Sequence, residues 1–432
     1  MNLFETPRPA TWQVCLRCRN ESVETDPATR CGCGGLLEVR HRRPDLAAEV
    51  LRAVFQTRCC TRPDTVASGV WRFRELVMPS ASVAQLVTHP EGNTPLLQRS
   101  VLARWAGAEH LLLKHEGHNP TGSFKDRGMT VGVTQAVRIG ARAVACASTG
   151  NTAASLAAYA AQAGLPAVVL VPAGRTALGK LAQTLAYGAR TLQVKGDFDD
   201  CLRLLEAASL ELGIYLINSI NPWRLEGQKT IVLELLQQLA WEPPDWIVLP
   251  AGNLGNTSAF GKALEEARDW GLITRLPRIA AIQAEGAAPF ARGFAAGFGE
   301  RYRVKAETVA TAIRIGDPAS WDRAVRAIRE TDGVVATVTD AEILEAKAAI
   351  DSAGVGCEPA SAASLAGVRK LTAEGVIGAE ARVVAVLTGH VLKDPEILVS
   401  MHRDLEPPPA WANRPVEIDA TVQAVAEAME KR

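Results

Sequence analysis

The chain has 432 residues, 47% hydrophobic and 22% charged, so it can bury a large core and should divide into two or more units, because single cores seldom grow past about 250–300 residues. Its 47 Lys and Arg balance its 47 Asp and Glu, which excludes a global basic field for nucleic acid or an anionic membrane, while leaving room for a local basic pocket. The stretch MNLFETPRPATWQVC lacks a charged region followed by an apolar core, and windows such as ARAVACAS and GLPAVVLVPAG fall far short of the ~20 residues that span a bilayer. Nine cysteines, an odd number that includes the adjacent Cys59 and Cys60, are expected to be free thiols in a reducing cytoplasm.

In chain order, residues 1–45 form a Cys-bearing head with the pattern CLRC…CGCGG, followed by a polar helical connection. Cys15-x2-Cys18 has the spacing of a zinc knuckle, but Cys31-x-Cys33 is one residue shorter than the usual second pair, which strains tetrahedral coordination. The expectation is a reduced ribbon without metal, with zinc on Cys15, Cys18, Cys31 and Cys33 as the alternative. From Asn93 onward strand and helix patterns alternate. ARAVACAS reads as a buried strand, TAASLAAYAAQAG as an Ala-rich helix closed by Gly164, PAVVLVPA as a strand, and ALGKLAQTLAYG as a helix. ARTLQVKG, PDWIVLPAGN, PRIAAIQAEG and ARVVAVLTG read as further strands, and IVLELLQQLA as a helix. EPPPAWANRP (406–415) is a proline-rich connector before a last amphipathic helix. This alternation predicts an α/β fold of doubly wound open parallel sheets covered on both faces, with ligands at the C-terminal strand ends.

Three strands end in polar or glycine turns. In PAGNLGNT, residues Gly252, Asn253, Leu254, Gly255 and Asn256 let backbone N–H groups approach an anion at a helix N-terminus. The segment is neither a Walker A loop nor GxGxxG. In ASTGNTAAS, residues Ser148, Thr149 and Asn151 offer hydroxyls and an amide at a second helix start, where plain N-capping is the competing reading. In LTGHVLKDP, Thr388 places a hydroxyl at a strand end. NSINPWRLEGQKT puts Asn218, Ser219 and Arg224 in a polar loop, and Arg224 could clamp a phosphate or carboxylate. HNPTGSFKDRG sets Lys125 at a turn-to-helix junction. A lysine bonds an aldehyde only when its amine is neutral, so Lys125 needs surroundings that depress its pKa. An aldehyde-binding lysine, a phosphate cup, an amide for a phenolic oxygen and a hydroxyl for a ring nitrogen are together what pyridoxal 5'-phosphate requires. His115 and His118 read as surface loop residues with structural roles.

The chain resembles the threonine synthase family of fold type II pyridoxal-phosphate enzymes. The motifs that carry the resemblance are SGVWRFRELVMP, EGNTPL, NPTGSFKDRGM, STGNTAAS, GKLAQTLAYGA, NSINPWRLEGQKT, PAGNLGN, TAIRIGDPASW, CEPASAASLAG and LTGHVLKDP. It implies that Lys125 carries the cofactor, Asn151 meets its phenolic oxygen, residues 252–256 hold its phosphate and Thr388 meets its pyridine nitrogen. The implied substrate is O-phospho-L-homoserine and the products are L-threonine and phosphate. Ser148 and Thr149 would take the substrate carboxylate, and Asn218, Ser219 and Arg224 its phosphate, with Lys180 or Lys229 as a further candidate. The implied organisation is a ribbon (1–45), a large cofactor-binding domain (46–129 and 222–405), a small mobile domain (130–221) and a C-terminal linker and helix (406–432), assembled as a homodimer. A serine or threonine dehydratase would share the cofactor residues but has no need of a γ-phosphate clamp, and a non-catalytic relative would be expected to have lost Lys125 or an anion turn.

Overall fold

The computed structural model describes residues 10–60, 65–174 and 178–430. The head folds as three strands, β1 (Thr11–Cys15), β2 (Glu21–Val23) and β3 (Leu37–His41), in an antiparallel sheet ordered β2-β1-β3. β4 (Leu96–Leu97) and β5 (His110–His115) begin a second sheet. β6 (Ala143–Ala147), β7 (Ala167–Pro172), β8 (Arg190–Val194) and β9 (Ile214–Leu216) make a separate parallel sheet ordered β8-β7-β6-β9. β10 (Trp246–Pro250), β11 (Arg278–Ala284), β12 (Val334–Val338) and β13 (Arg382–Leu387) complete the second sheet, ordered β12-β11-β10-β13-β5-β4 and parallel except for β4.

Near-continuous apolar strands arise because both faces of each parallel sheet are covered. Along β10, Ile247 and Leu249 enter one core while Trp246 and Val248 enter another on the opposite face. In the smaller sheet, Val144 and Cys146 face one cluster and Ala145 and Ala147 a second. The α/β architecture is the expected one. The pattern reading did not separate out β5, β9 and β12. The Ala-rich helix runs Asn151–Gln162 with Ala163 as its cap, so Gly164, at φ +65°, sits one residue further on. No helix among the described residues is long and apolar enough to cross a membrane.

Two connections bring the sheets to one place. The Lys125–Arg138 helix contributes Met129, Val133 and Ala136 to the core of the smaller sheet. It also packs on the Pro222–Gln228 helix so closely that a Cβ on Gly227 would lie 1.8 Å from the Arg127 carbonyl oxygen.

Candidate active site

Lys125 is the first residue of its helix, and the segment before it is laced to the end of β13. Phe124 N–H donates to the Thr388 carbonyl at 3.0 Å, His390 N–H donates to the Gly122 carbonyl at 2.9 Å, and Ser123 forms a bridge with Gly389. The Lys125 ammonium lies 4.0 Å from the centre of the Phe124 ring. Burial, reinforced by the Arg224 guanidinium and only partly offset by Glu358, lowers its pKa to about 7. At such a pKa about half of the Lys125 amine is neutral near pH 7, the form that bonding to an aldehyde requires.

The residues after Lys125 explain the rest of SFKDRG. Asp126 is buried and accepts from Thr121 N–H at 2.7 Å, Thr121 Oγ1 at 2.6 Å and Ser155 Oγ at 2.6 Å; burial raises its pKa to about 6. Arg127 is buried between two carboxylates, donating from Nε to Glu116 at 2.7 Å and from Nη2 to Glu234 at 2.9 Å. Lys114 donates to the same Glu234 at 2.6 Å. These pairs are dry and mutually satisfied, so they lock the helix start that presents Lys125.

Two of the strand-end turns, at Asn151 and Thr388, meet on Glu358, whose charge acts on Lys125. After β10, Leu254 adopts left-handed φ +63° and caps the Gly255–Asp269 helix without any side-chain hydrogen bond. The first N–H groups of that helix consequently have no helical acceptor. The Leu254 side chain is buried in the large core, so only its backbone can face a ligand. A Cβ on Gly252 would come within 2.8 Å of Ile313 Cα, which accounts for the packing of TAIRIG against this turn. Asn253 Nδ2 donates to Ser219 Oγ at 2.6 Å, while Asn218 Oδ1 accepts from Ala147 N–H at 3.1 Å at the end of β6. The Asn218–Ser219 turn thus joins the C-terminal ends of strands from both sheets. Ser148 Oγ accepts from Gly150 N–H at 3.2 Å. Asn151 opens its helix, whose cap Gly150 also lacks a side-chain bond.

Arg224 is not in a loop. Asn221 caps the Pro222–Gln228 helix with its side-chain oxygen on Trp223 and Arg224 N–H groups, and Pro222 occupies the first turn. Arg224 is buried, has no carboxylate partner among the described residues, and donates only weakly to the Ile217 carbonyl at 3.4 Å. Its Nε has no partner, and burial lowers its pKa to about 10. Lys229, the weaker candidate, faces away from this role: its ammonium binds Glu226 and Glu266, the latter at 2.7 Å. The Lys180 side chain lies outside the described residues. His115 is buried rather than a surface residue, with Nε2 at 2.8 Å from the Gly356 carbonyl, while His118 is exposed and stacks edge-on against it.

One site residue was given no role in the sequence reading. Glu358, buried, accepts from Asn151 Nδ2 at 3.0 Å and from Thr388 Oγ1 at 3.1 Å, and burial raises its pKa. Thr388 Oγ1 also sits 2.9 Å from Ser361 Oγ. The available signal was a carboxylate placed directly before the proline that starts an Ala-rich helix, Pro359–Ala373.

The groups present fit pyridoxal phosphate: a lysine of lowered pKa, an uncapped helix start behind a glycine turn, a buried guanidinium with an unpartnered Nε, and a buried unpartnered hydroxyl on Thr257. Residues 87–389 match the family of pyridoxal-phosphate dependent enzymes. The chain belongs to this family. Its relatives include threonine synthases: it is 44% identical over 418 residues to that of Methanosarcina acetivorans, covering 96% of this chain and 98% of that one. To the threonine synthase of Methanocaldococcus jannaschii it is 45% identical over 395 residues, covering 90% and 94%. Among solved structures, threonine synthase from Escherichia coli aligns at TM-score 0.70 and 19% identity over 97% of this chain and 99% of that one. Maize serine racemase aligns at TM-score 0.63 and 22% identity over 78% and 97%, a likeness of fold.

Proposed function

We propose that the chain converts O-phospho-L-homoserine and water to L-threonine and inorganic phosphate. The observation that carries this reading is the buried Arg224, without a carboxylate partner among the described residues, beside a lysine whose pKa burial lowers to about 7. Lys125 would hold the cofactor aldehyde, residues 252–256 its phosphate, Asn151 its phenolic oxygen and Thr388 its ring nitrogen, with Glu358, which accepts from Asn151 and Thr388, aligning the last two. When bound, pyridoxal phosphate supplies the electron sink that acidifies the substrate carbons next to the amine.

Arg224, with Asn218 and Ser219, holds the substrate phosphate, and Ser148 and Thr149 orient its carboxylate. The neutral Lys125 amine would take the Cα proton. With a pKa near the working pH it can take and return protons over one face of the substrate. Loss of a Cβ proton accompanies departure of phosphate from Cγ onto Arg224; Cγ is then protonated and water adds at Cβ. Holding one base and one anion clamp in fixed positions lets a single constellation serve these transfers.

The residues 130–221 unit acts as a small lobe that closes on the larger one, the boundary falling within the Lys125–Arg138 helix. Closure would bring the Ser148–Asn151 turn toward Lys125 and exclude water. The protein works in the cytoplasm as a homodimer. Val422, Val425 and Met429 on the last helix, 89%, 47% and 75% exposed, support a partner surface. The test is to supply O-phospho-L-homoserine, L-threonine and L-serine separately to protein loaded with pyridoxal phosphate. Equimolar threonine and phosphate from the first alone supports the assignment. A 2-oxo acid from the unphosphorylated amino acids, without phosphate release, overturns it in favour of a dehydratase.

A further inference from the structure

The head carries a second centre that the proposed reaction does not use. Cys15, Cys18, Cys31 and Cys33 bring four sulfurs within 4.8 Å of one another, with Cys15 Sγ 3.5 Å from Cys33 Sγ and Cys18 Sγ 3.6 Å from Cys31 Sγ. All four are free thiols. A disulfide would need ~2.05 Å, whereas four sulfurs at ~2.3 Å from a tetrahedral zinc stand roughly 3.8 Å apart.

The one-residue shortfall in Cys31-x-Cys33 is absorbed by the backbone. Gly34 N–H donates to the Cys31 carbonyl at 2.7 Å and Cys31 N–H to the Gly35 carbonyl at 2.9 Å, closing a tight loop with Gly34 at φ +79°. Gly35 clears the centre, since a Cβ there would lie 2.6 Å from Cys15 Sγ and 3.3 Å from Cys33 Sγ. On the other side, Arg19 at φ +62° turns the chain and Cys18 N–H points at Cys15 Sγ at 3.5 Å. Within the ribbon, among the described residues, only Cys15, Leu37 and Val39 of the apolar side chains are buried. So small a unit needs a staple.

The ribbon also reaches the catalytic body. His41 Nε2 lies 2.7 Å from Glu226, two residues beyond Arg224 on the same helix, and Lys262 donates to the Val39 carbonyl at 2.6 Å. Arg326 pairs with Glu38 at 2.8 Å. We propose that Cys15, Cys18, Cys31 and Cys33 bind one zinc ion as a tetrathiolate centre that holds the head ribbon against the Pro222–Gln228 helix. The proposal stands whatever reaction the chain catalyses.

The test is metal content of the full-length protein loaded with pyridoxal phosphate, purified under reducing conditions and desalted after incubation with zinc chloride. One zinc per chain is expected. It should be lost in Cys18→Ser, a change at an exposed position that leaves the core intact, and retained in the exposed control Cys59→Ser. Protein produced with cobalt should show the thiolate charge-transfer band and intense visible bands of a tetrahedral sulfur site. Cys18→Ser should also unfold at a lower temperature than Cys59→Ser. Less than a tenth of an equivalent of zinc in the wild type, iron in its place, or a pale six-coordinate cobalt spectrum overturns the metal site. Zinc loss without a lower thermal midpoint overturns its holding role.

Discussion

Replacing Arg224 with methionine separates binding from folding. The guanidinium is buried, with no carboxylate partner among the described residues, and burial lowers its pKa to about 10. At about 1.4 kcal/mol for each tenfold change in proton affinity, that fall represents about 3 kcal/mol disfavouring the charged form in the ligand-free protein. Methionine keeps an apolar side chain of similar length over Gly132 and Ile217, removes the charge, and exchanges a buried ion for packing, a change that is often neutral or stabilising. The ligand-free Arg224→Met protein should therefore unfold at an unchanged or higher temperature. Catalysis should move the other way. Each charge-assisted hydrogen bond to phosphate contributes about 1.5–3 kcal/mol, so kcat/KM for O-phospho-L-homoserine should fall at least about 10- to 100-fold. Inorganic phosphate should stabilise the wild type against heat and leave the variant unchanged. The assay is thermal unfolding with and without phosphate beside steady-state phosphate release. A lower midpoint together with an unchanged KM would make Arg224 a structural residue and refute the clamp.

Gly252→Ala places a Cβ 2.8 Å from Ile313 Cα and 3.3 Å from the Ala312 oxygen. Such overpacking costs about 1–3 kcal/mol, and equilibrium titration should show cofactor affinity about tenfold weaker; an unchanged affinity would place the phosphate elsewhere. Glu358→Gln keeps the shape but turns an acceptor of two donors into a group whose amide opposes one of them, Asn151 or Thr388. The same titration should register a loss of about tenfold or more, and parity with wild type would remove Glu358 from the site. Covalent attachment of pyridoxal phosphate to Lys125, fixed with borohydride and measured by mass, should speed up as pH rises through about 7, because only the neutral amine attacks. The unfolded chain holds more protons on this lysine from about 7 up to the ordinary lysine range, so its contribution to ligand-free stability improves with rising pH across that window. An attachment rate that is flat with pH would contradict the depressed pKa.

The sequence made the strand-end turns legible because each joins a short apolar run to glycine or small polar residues, a local pattern with a local cause. Lys125 stood out for the same reason. Arg224 was misplaced in a loop although Asn221 and Pro222 form an ordinary helix start; the polar stretch before it masked the cap. The burial of His115 and the role of Glu358 depend on partners more than 200 residues away, Gly356 and Asn151 respectively, which no local pattern encodes. In the proposed zinc centre the loop closed at Gly34 and Gly35 compensates for the residue missing from Cys31-x-Cys33, a backbone geometry that spacing alone does not encode. The meeting of Ser219 with Asn253 likewise needs both sheets in place.

The most direct test of the account is phosphate release from O-phospho-L-homoserine with threonine measured in parallel, in wild type and Lys125→Ala, each with added pyridoxal phosphate. The account predicts stoichiometric threonine and phosphate from wild type and neither from the variant. Equal turnover by both proteins, or phosphate without threonine from wild type, would contradict it.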